Sequence, residues 1–228
     1  MHPRKYFELR QTTRSGNKYK EFRKVCKLEL NGRVCIDYRN ESTLRALTQM
    51  LLEEYFQLRV EFAPGSLVPT LPLRLNYILW LEDLITSLKL ADAADVRGID
   101  IGCGSSCIYT LLGARKNSWR MYALESNDVN LEFARSNTRN EDKRTPPHNC
   151  HTGHDEELAC EGGEVQFVHR IIEESELYPE RIGIYTSMLG HKSSVGRIIE
   201  ILTKKQITNV STTEFCQGNT TRWGCLEL

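Results

Sequence analysis

The segment that decides the fold is VRGIDIGCG, residues 96–104. Its first six residues have the apolar content of a short buried strand, and glycines follow at positions 102 and 104. Glycine lets the backbone turn sharply and lets a ligand approach it closely. Because ligands of α/β proteins bind where parallel strands end, this turn is the predicted binding site of the chain. A helix is predicted directly after it, through about residue 112.

The segments around this turn alternate between strand and helix patterns. Residues 121–125 form a second predicted strand, which ends at Glu125, and residues 128–137 form a second predicted helix. This β-α-β-α series predicts an α/β fold with a doubly wound parallel sheet, a Rossmann-like architecture. Outside the series, we predict a hairpin at 27–36, helices at 43–56, 73–90, 163–176 and 194–205, and strands at 182–189, 210–217 and 222–228.

The residues at the strand ends predict a cofactor that contains a nucleoside. Glu125 follows Asp100 by 25 residues and can accept hydrogen bonds from both hydroxyls of a ribose. Asp100 can orient the turn or, through water, the other end of the cofactor. Dinucleotides favour a third glycine, but Cys107 stands at that position. The turn Asp100-x-Gly102-x-Gly104 therefore favours S-adenosylmethionine, which has no pyrophosphate; a tight turn without a ligand is the alternative.

The charge of the chain is zero in total but unevenly distributed. Lys plus Arg and Asp plus Glu number 30 each among 228 residues. Residues 1–27 hold nine basic and two acidic residues, a net charge of +7, which leaves −7 for the rest. Aromatic residues interleave with these basic residues and could stack on bases, so the segment favours an RNA contact over a solvated arm. The predicted contacts within it are Arg4, Lys5, Lys18 and Lys20.

Composition excludes several other classes of protein. With 40% hydrophobic and 26% charged residues, the chain is typical of a globular protein. It has no apolar run of about 18 residues, so no membrane-spanning helix is predicted. The first residues lack the apolar stretch of a secretory signal, and most of the eight cysteines are therefore expected to be reduced thiols. The His and Cys residues of 148–160 fit no standard zinc spacing and predict a polar loop, so no metal site is expected.

Several motifs in order resemble one family. The residues that carry the resemblance are 72–80 (PLRLNYILW), 98–102 (GIDIG) and 106–109 (SCIY). Further matches are 30–34, 161–164, 188–190 and 213–218. Together they cover about residues 28–138 and 145–225 and are similar to the methyltransferase-10-domain family.

This resemblance implies a class I methyltransferase fold and S-adenosylmethionine as cofactor. It also implies methylation of the exocyclic amine of adenosine in structured RNA, namely a spliceosomal small nuclear RNA and messenger hairpins. These substrates imply a nuclear protein, with the cytoplasm as a second location. By motif, Arg74 would pair with the cofactor carboxylate, Gly102 would contact its methionine part and Glu125 its ribose. Arg222 falls where the family places RNA contacts, although it could equally be a surface strand residue.

The catalytic signature of the family, Asn-Pro-Pro-Phe at the end of the fourth strand, is missing. Only 24 residues separate Asn137 from Gly162, too few for a third strand, its helix, a fourth strand and the signature. Residues 145–148 (TPPH) lack the asparagine and have no apolar strand before them, so a loop is predicted there. No catalytic residue is therefore assigned. The chain is predicted to be a family member with an internal deletion. Either its first and fifth strands pair directly, or the fold is damaged.

Two function hypotheses follow. The first is an RNA adenosine methyltransferase, with impaired activity in this chain; the second is an RNA-binding protein or truncated isoform without catalysis. The predicted domain organisation is a basic arm with a hairpin-helix module at 1–72 and a methyltransferase domain at 73–228 that is incomplete around 138–161.

Overall fold

The computed structural model describes residues 20–25, 27–28, 34–37, 39–88, 95–139, 150–152, 163–178, 181–217 and 220–227. The helices are α1 (Lys20–Val25), α2 (Glu41–Phe56), α3 (Leu71–Leu88), α4 (Ile108–Asn117), α5 (Asp128–Arg139), α6 (Gly163–Ser175) and α7 (Lys192–Lys204). The strands are β1 (Lys27–Leu28), β2 (Val34–Cys35), β3 (Arg97–Ile101), β4 (Arg120–Glu125), β5 (Cys150–Thr152), β6 (Tyr185–Leu189), β7 (Val210–Gln217) and β8 (Thr220–Glu227).

The described residues divide into two compact units. One comprises residues from 1–78 and 91–155, and the other comprises residues from 79–90 and 156–228. The predicted division after residue 72 was drawn from sequence character, not from packing, and it stays a prediction.

The first unit contains a parallel sheet in the order β3-β4-β5. Its register pairs Gly98 with Met121 and Asp100 with Ala123, so these four residues share one face. Met121 and Ala123 are buried, as are Leu111 and Leu112 of α4. The α/β alternation predicted around residues 96–104 therefore forms a packed β-α-β-α unit.

The second unit contains an antiparallel sheet in the order β6-β8-β7. Helices α6 and α7 flank it, and its core is a cluster of buried apolar side chains. These are Val168, Ile172, Leu189, Ile198, Leu202 and Cys225. The predicted last strand is confirmed and is longer than expected, because it pairs along the whole length of β7.

One expectation about strands needs correction. Residues 150–152 form β5, which pairs in parallel with β4, where the sequence predicts only a loop. Three residues carry too little pattern to be recognised, and the strand forms because the edge of β4 offers backbone partners.

The predicted N-terminal hairpin is present as a short antiparallel pair. Lys27 pairs with Cys35 and Leu28 with Val34. The predicted Asn-Gly turn between them lies outside the described residues, as do residues 1–19 of the basic arm.

Candidate functional site

The glycine turn after β3 has the backbone shape predicted from its sequence. Gly102 and Gly104 have φ angles of +74° and +64°, which side chains other than glycine rarely adopt. The N–H groups of Gly102 and Cys103 both donate to the carbonyl of Leu124, at 2.9 and 3.0 Å. A Cβ atom built at either glycine meets no atom within 4 Å. The turn is thus fixed to the end of β4 and leaves open space beside both glycines.

Glu125 connects this turn to the end of the second strand. Its Oε2 accepts a hydrogen bond from the N–H of Gly104 at 2.7 Å. Its Oε1 accepts from the N–H groups of Ser126 at 2.9 Å and Asn127 at 3.0 Å. The side chain is buried, with 7% of its surface exposed. These three hydrogen bonds hold the carboxylate at the carboxyl edge of the sheet, where the sequence predicts a ribose.

Asp100 lies at the base of the turn and contacts the next helix. The hydroxyl of Thr110 donates to its Oδ2 at 3.2 Å. Burial raises the pKa of Asp100 to about 6, and the negative charge of Glu125 adds to the increase. Hydrogen bonds from Thr110 and the positive charge of Arg74 lower the pKa but do not outweigh burial. This carboxyl group can therefore change its protonation near neutral pH.

Arg74 is held against an aromatic residue of α4. Its Nη1 donates to the hydroxyl of Tyr109 at 2.7 Å, and its guanidinium carbon lies 5.5 Å from the centre of the Tyr109 ring. Burial raises the pKa of Tyr109, although the charge of Arg74 opposes this. A guanidinium has five N–H donors, so it can bond to Tyr109 and to a carboxylate at the same time. The predicted cofactor residues Arg74, Asp100, Gly102, Gly104 and Glu125 all belong to the first unit.

One buried side chain that sequence reasoning missed supports the turn. Asn137, near the end of α5, is 2% exposed. Its Nδ2 donates to the carbonyls of Glu61 at 2.8 Å and Ser105 at 2.9 Å, and its Oδ1 accepts from the N–H of Glu61 at 2.8 Å. The hydroxyl of Ser105 in turn donates to that of Ser66 at 2.8 Å. A lone asparagine in a helical pattern carries no sequence signal for this role.

Two buried thiols lie in the same turn region. Cys103 is 7% exposed and Cys107 is fully buried, and both are free. A hydrogen bond with Cys107 and burial raise the pKa of Cys103. Both thiols are unpaired by disulfides, as the prediction of reduced cysteines expects.

The predicted RNA-binding residues lie mostly outside the described structure. Arg4, Lys5 and Lys18 are not described, and Lys20 is the first residue of α1. Arg222 lies in β8 opposite Phe215, and its Nη1 donates to the carbonyl of Thr221 at 3.0 Å. Three of the five residues therefore lie outside the described part of the chain, and the predicted RNA contacts stay a prediction.

Neither a metal site nor a membrane span is found in the part of the chain that the structure describes. No group of three or more His, Cys, Asp or Glu side chains there could hold a metal ion. Of the candidate His and Cys loop at 148–160, only residues 150–152 are described. None of the described helices combines the length and the apolar character that crossing a membrane requires.

A family model described as RNA methyltransferase matches the chain in two pieces, residues 1–143 and 134–226. The chain is 49% identical over 280 positions to a U6 small nuclear RNA (adenine-(43)-N(6))-methyltransferase of Drosophila pseudoobscura pseudoobscura, which covers 98% of this chain and 91% of that protein. It is 34% identical to the human RNA N(6)-adenosine-methyltransferase METTL16 over 91% of this chain and 46% of that protein.

Solved structures agree with these matches. The N-terminal domain of human METTL16 in complex with SAH superposes with a TM-score of 0.88 at 34% identity, covering all of this chain and 98% of that one. The METTL16 catalytic domain in complex with MAT2A 3′UTR hairpin 6 superposes with a TM-score of 0.80 at 34% identity, covering 94% and 91%. The predicted class I methyltransferase fold is confirmed, as is S-adenosylmethionine as the cofactor of these relatives.

The alignment lengths also measure an internal gap. The Drosophila alignment spans 280 positions, whereas this chain has 228 residues. At least 52 positions of that relative therefore face a gap. The two family matches overlap at residues 134–143, at the start of the region around 138–161 that the sequence predicts to be incomplete.

Proposed function

Because this chain belongs to the methyltransferase-10-domain family of RNA methyltransferases, we propose that it binds S-adenosylmethionine and structured RNA for N6-methylation of adenine, with the methyl-transfer step impaired. The observation that carries this proposal is the position of the gap. The proposed cofactor residues, from Arg74 to Glu125, all precede residue 134, where the first family match begins to overlap the second. The Asn-Pro-Pro-Phe signature that the family resemblance implies is absent from the sequence.

The geometry of the turn fits the cofactor. Glu125 would accept hydrogen bonds from the ribose hydroxyls, since each of its oxygens can accept more than one. Arg74 would pair with the carboxylate of the methionine part, and the open space beside Gly102 and Gly104 gives the cofactor room against the backbone. Asp100 would orient the turn through Thr110. When bound, S-adenosylmethionine supplies an electrophilic methyl group.

Impairment follows from the chemistry of the acceptor. The exocyclic amine of adenine is a weak nucleophile, and methyl transfer requires it to be held in line with the methyl group. In the family this positioning is assigned to the asparagine and aromatic residue of the signature, acting on a base that is flipped out of its stack. Without them, the chain retains the means to bind cofactor but not the means to align the amine.

RNA binding is proposed to depend on the basic arm of residues 1–27 and on Arg222. Arg4, Lys5, Lys18 and Lys20 would contact phosphates, which makes affinity fall steeply with salt. The names of the relatives support structured RNA as the partner: U6 small nuclear RNA for the Drosophila protein and MAT2A hairpins for METTL16. A U6 small nuclear RNA partner also supports a nuclear location. The proposal includes the cytoplasm as a second location.

Two measurements on the full chain test the proposal. Calorimetric titration with S-adenosylmethionine should give weak but saturable binding, which Arg74→Ala abolishes and Arg139→Ala, an exposed arginine at the end of α5, preserves. Single-turnover methylation of a U6 small nuclear RNA fragment should stay at background, with the Drosophila melanogaster relative as positive control. Absence of cofactor binding would contradict the proposed site, and methylation clearly above background would contradict the proposed impairment.

A third measurement tests RNA binding, which the second candidate, an RNA-binding protein without catalysis, shares with the first. Filter binding of a U6 RNA fragment should persist without cofactor and decrease with salt. Removing the charges of Lys18 and Lys20 together should lower the slope of log affinity against log salt by about 1.5. An unchanged slope would remove the basic arm from the RNA interface.

A further inference from the structure

The tyrosine that contacts Arg74 belongs to the helix that directly follows the glycine turn. Tyr109 is the second residue of α4, whereas Arg74 comes from α3, 35 residues earlier in the chain. Nη1 of Arg74 donates to the hydroxyl of Tyr109 at 2.7 Å, and the guanidinium carbon lies 5.5 Å from the ring centre. Both residues are partly exposed, so a ligand can reach them. Tyr109 therefore connects Arg74 to the element that carries the turn.

A second aromatic ring packs against Tyr109. Tyr77 follows Arg74 by three residues in α3, so the two side chains lie on the same face of that helix. The ring centres of Tyr77 and Tyr109 are 5.0 Å apart, with an angle of 49° between the rings, and pairs at this distance are favourable. Tyr77 is buried, with 7% of its surface exposed. The ring of Tyr109 is thus held between Tyr77 and Arg74.

The charges around Tyr109 keep its hydroxyl neutral. Burial and the negative charge of Asp100 raise the pKa of Tyr109, while the positive charge of Arg74 lowers it. The net pKa is above the ordinary value, so the hydroxyl keeps its proton at neutral pH and acts as an uncharged acceptor for Arg74. The neighbouring residue, Thr110, donates to Asp100 at 3.2 Å. The first turn of α4 therefore contacts both charged groups.

Holding an arginine before the ligand arrives lowers the cost of binding. An arginine side chain has several rotatable bonds and loses conformational entropy when a ligand fixes it. A contact that already orders the side chain removes part of that cost. The bond to Tyr109 uses one of the five N–H donors of the guanidinium, a group whose planar fork matches a carboxylate.

We propose that Tyr109 is a positioning residue for the cofactor: its hydroxyl and ring hold the guanidinium of Arg74 where Arg74 pairs with the carboxylate of S-adenosylmethionine. This inference rests on the proposed function, in which Arg74 contacts that carboxylate. It extends the proposed function by making the preference for ligands with an amino-acid end depend on Tyr109, a residue that does not itself contact the ligand.

The test compares two ligands that differ only in the part that Arg74 would contact. S-adenosylhomocysteine and 5′-methylthioadenosine share adenine, ribose and a thioether, but the second has a methyl group in place of the amino-acid end. Calorimetric titration of the full chain should show tighter binding of S-adenosylhomocysteine. Tyr109→Phe, which keeps the ring, should weaken this binding about fivefold, the scale of ordering one long side chain. Binding of 5′-methylthioadenosine should stay within twofold and thereby report a folded turn.

Two further variants serve as controls. Tyr122→Phe removes the hydroxyl of a partly exposed tyrosine of β4 in the same unit, and it should leave both affinities within twofold. Arg74→Ala should abolish the preference for S-adenosylhomocysteine over 5′-methylthioadenosine, since that preference is assigned to the carboxylate contact.

A second measurement needs no change at Tyr109. Nuclear magnetic resonance relaxation of the arginine Nε–H groups, with Arg74→Lys to assign the signal, reports how ordered Arg74 is without ligand. Its order parameter should exceed about 0.6, below which a group is flexible. That of Arg139, an exposed arginine at the end of α5, should be lower.

Three results would overturn the inference. These are equal weakening of both ligands by Tyr109→Phe, unchanged binding of S-adenosylhomocysteine in that variant, and an Arg74 as flexible as Arg139 in the ligand-free chain. If Arg74→Ala abolishes the preference while Tyr109→Phe does not reduce it, only this inference fails. If the parent does not bind S-adenosylhomocysteine, or Arg74→Ala keeps the preference, the proposed cofactor contact fails and this inference fails with it.

Discussion

Glu125 is the residue on which the cofactor turn most depends, because one buried carboxylate accepts three backbone N–H groups. In Glu125→Gln, the amide nitrogen must replace one acceptor oxygen and would face a backbone donor. We expect the unfolding free energy to fall by about 2 kcal/mol, the typical scale for hydrogen bonds to a charged group, and cofactor affinity to fall at least tenfold. Urea unfolding and calorimetry measure the two effects.

The matching control for that variant is Glu132→Gln on the exposed surface of α5, which should change neither quantity. If Glu125→Gln lost stability but kept full cofactor affinity, the carboxylate would have a structural role only.

Asp100 makes stability depend on pH in a direction opposite to most carboxylates. Its folded pKa of about 6 lies above its ordinary value of 3.8, so between these values the folded state binds more protons than the unfolded state. The unfolding free energy therefore falls as pH rises from about 4 to about 6, by up to about 3 kcal/mol for a group of this kind. Asp100→Asn should flatten this part of the stability curve, as measured by urea unfolding at each pH.

The exposed carboxylate of Asp83 supplies the comparison, since Asp83→Asn should keep the pH slope of the parent. A parent protein whose stability rises from pH 4 to 6, and whose slope Asp100→Asn does not alter, would contradict the proposed burial of this carboxyl group.

At the scale of the elements, a carboxylate of helix α6 accepts hydrogen bonds from the backbone at the start of helix α7. Oε2 of Glu164 in α6 accepts from the N–H of Gly190 at 2.7 Å, and Oε1 accepts from that of His191 at 3.2 Å. Burial alone would raise the pKa of Glu164, but hydrogen bonds from Ser194, Gly190 and His191 outweigh it and lower the pKa. The carboxylate thus caps α7, a helix whose own N-cap residue, His191, makes no capping hydrogen bond through its side chain.

We expect Glu164→Gln to lower the unfolding free energy by about 1 kcal/mol at pH 7, the usual scale for a lost cap. Because the folded pKa is depressed, this stabilisation is present above the unfolded pKa and disappears as pH falls through the folded pKa. The difference between parent and variant should therefore shrink on acidification, whereas the exposed Glu174→Gln in α6 should match the parent throughout. A constant difference at all pH values would show that charge is not involved.

The same elements show what sequence can predict. Helices with clear apolar spacing, such as α2 and α3, and the strand-turn-helix from residue 96 were predicted within a few residues, because periodicity and glycine punctuation are local signals. Strand β5 and the role of Asn137 were missed. Both are defined by partners distant in sequence: β5 by the edge of β4, and Asn137 by Glu61 and Ser105.

At the scale of the whole molecule, the gap in the alignment bears on how the strands pair into sheets. The sequence predicts that a central part of the fold is missing, and it leaves open whether the strands on either side of the gap would pair. That outcome depends on competition between backbone partners across the fold, which no local pattern encodes. The two three-stranded sheets among the described strands, one parallel and one antiparallel, each have their own buried side chains.

Two separately packed cores should respond to separate substitutions. Ile198→Ala removes a fully buried side chain from the core of the second unit and should cost about 3 kcal/mol there. Asn137→Ala removes three hydrogen bonds from the first unit and should cost about 2 kcal/mol. Hydrogen exchange resolved by peptide should then show faster exchange in β7 and β8 for the first variant, and in β3 and β4 for the second, since distant substitutions act independently.

Ile199→Ala, the exposed neighbour of Ile198, should leave both units within about 0.5 kcal/mol of the parent. If either core variant accelerated exchange equally in both sheets, the chain would unfold as one cooperative unit, and the sheets would not be independent in stability.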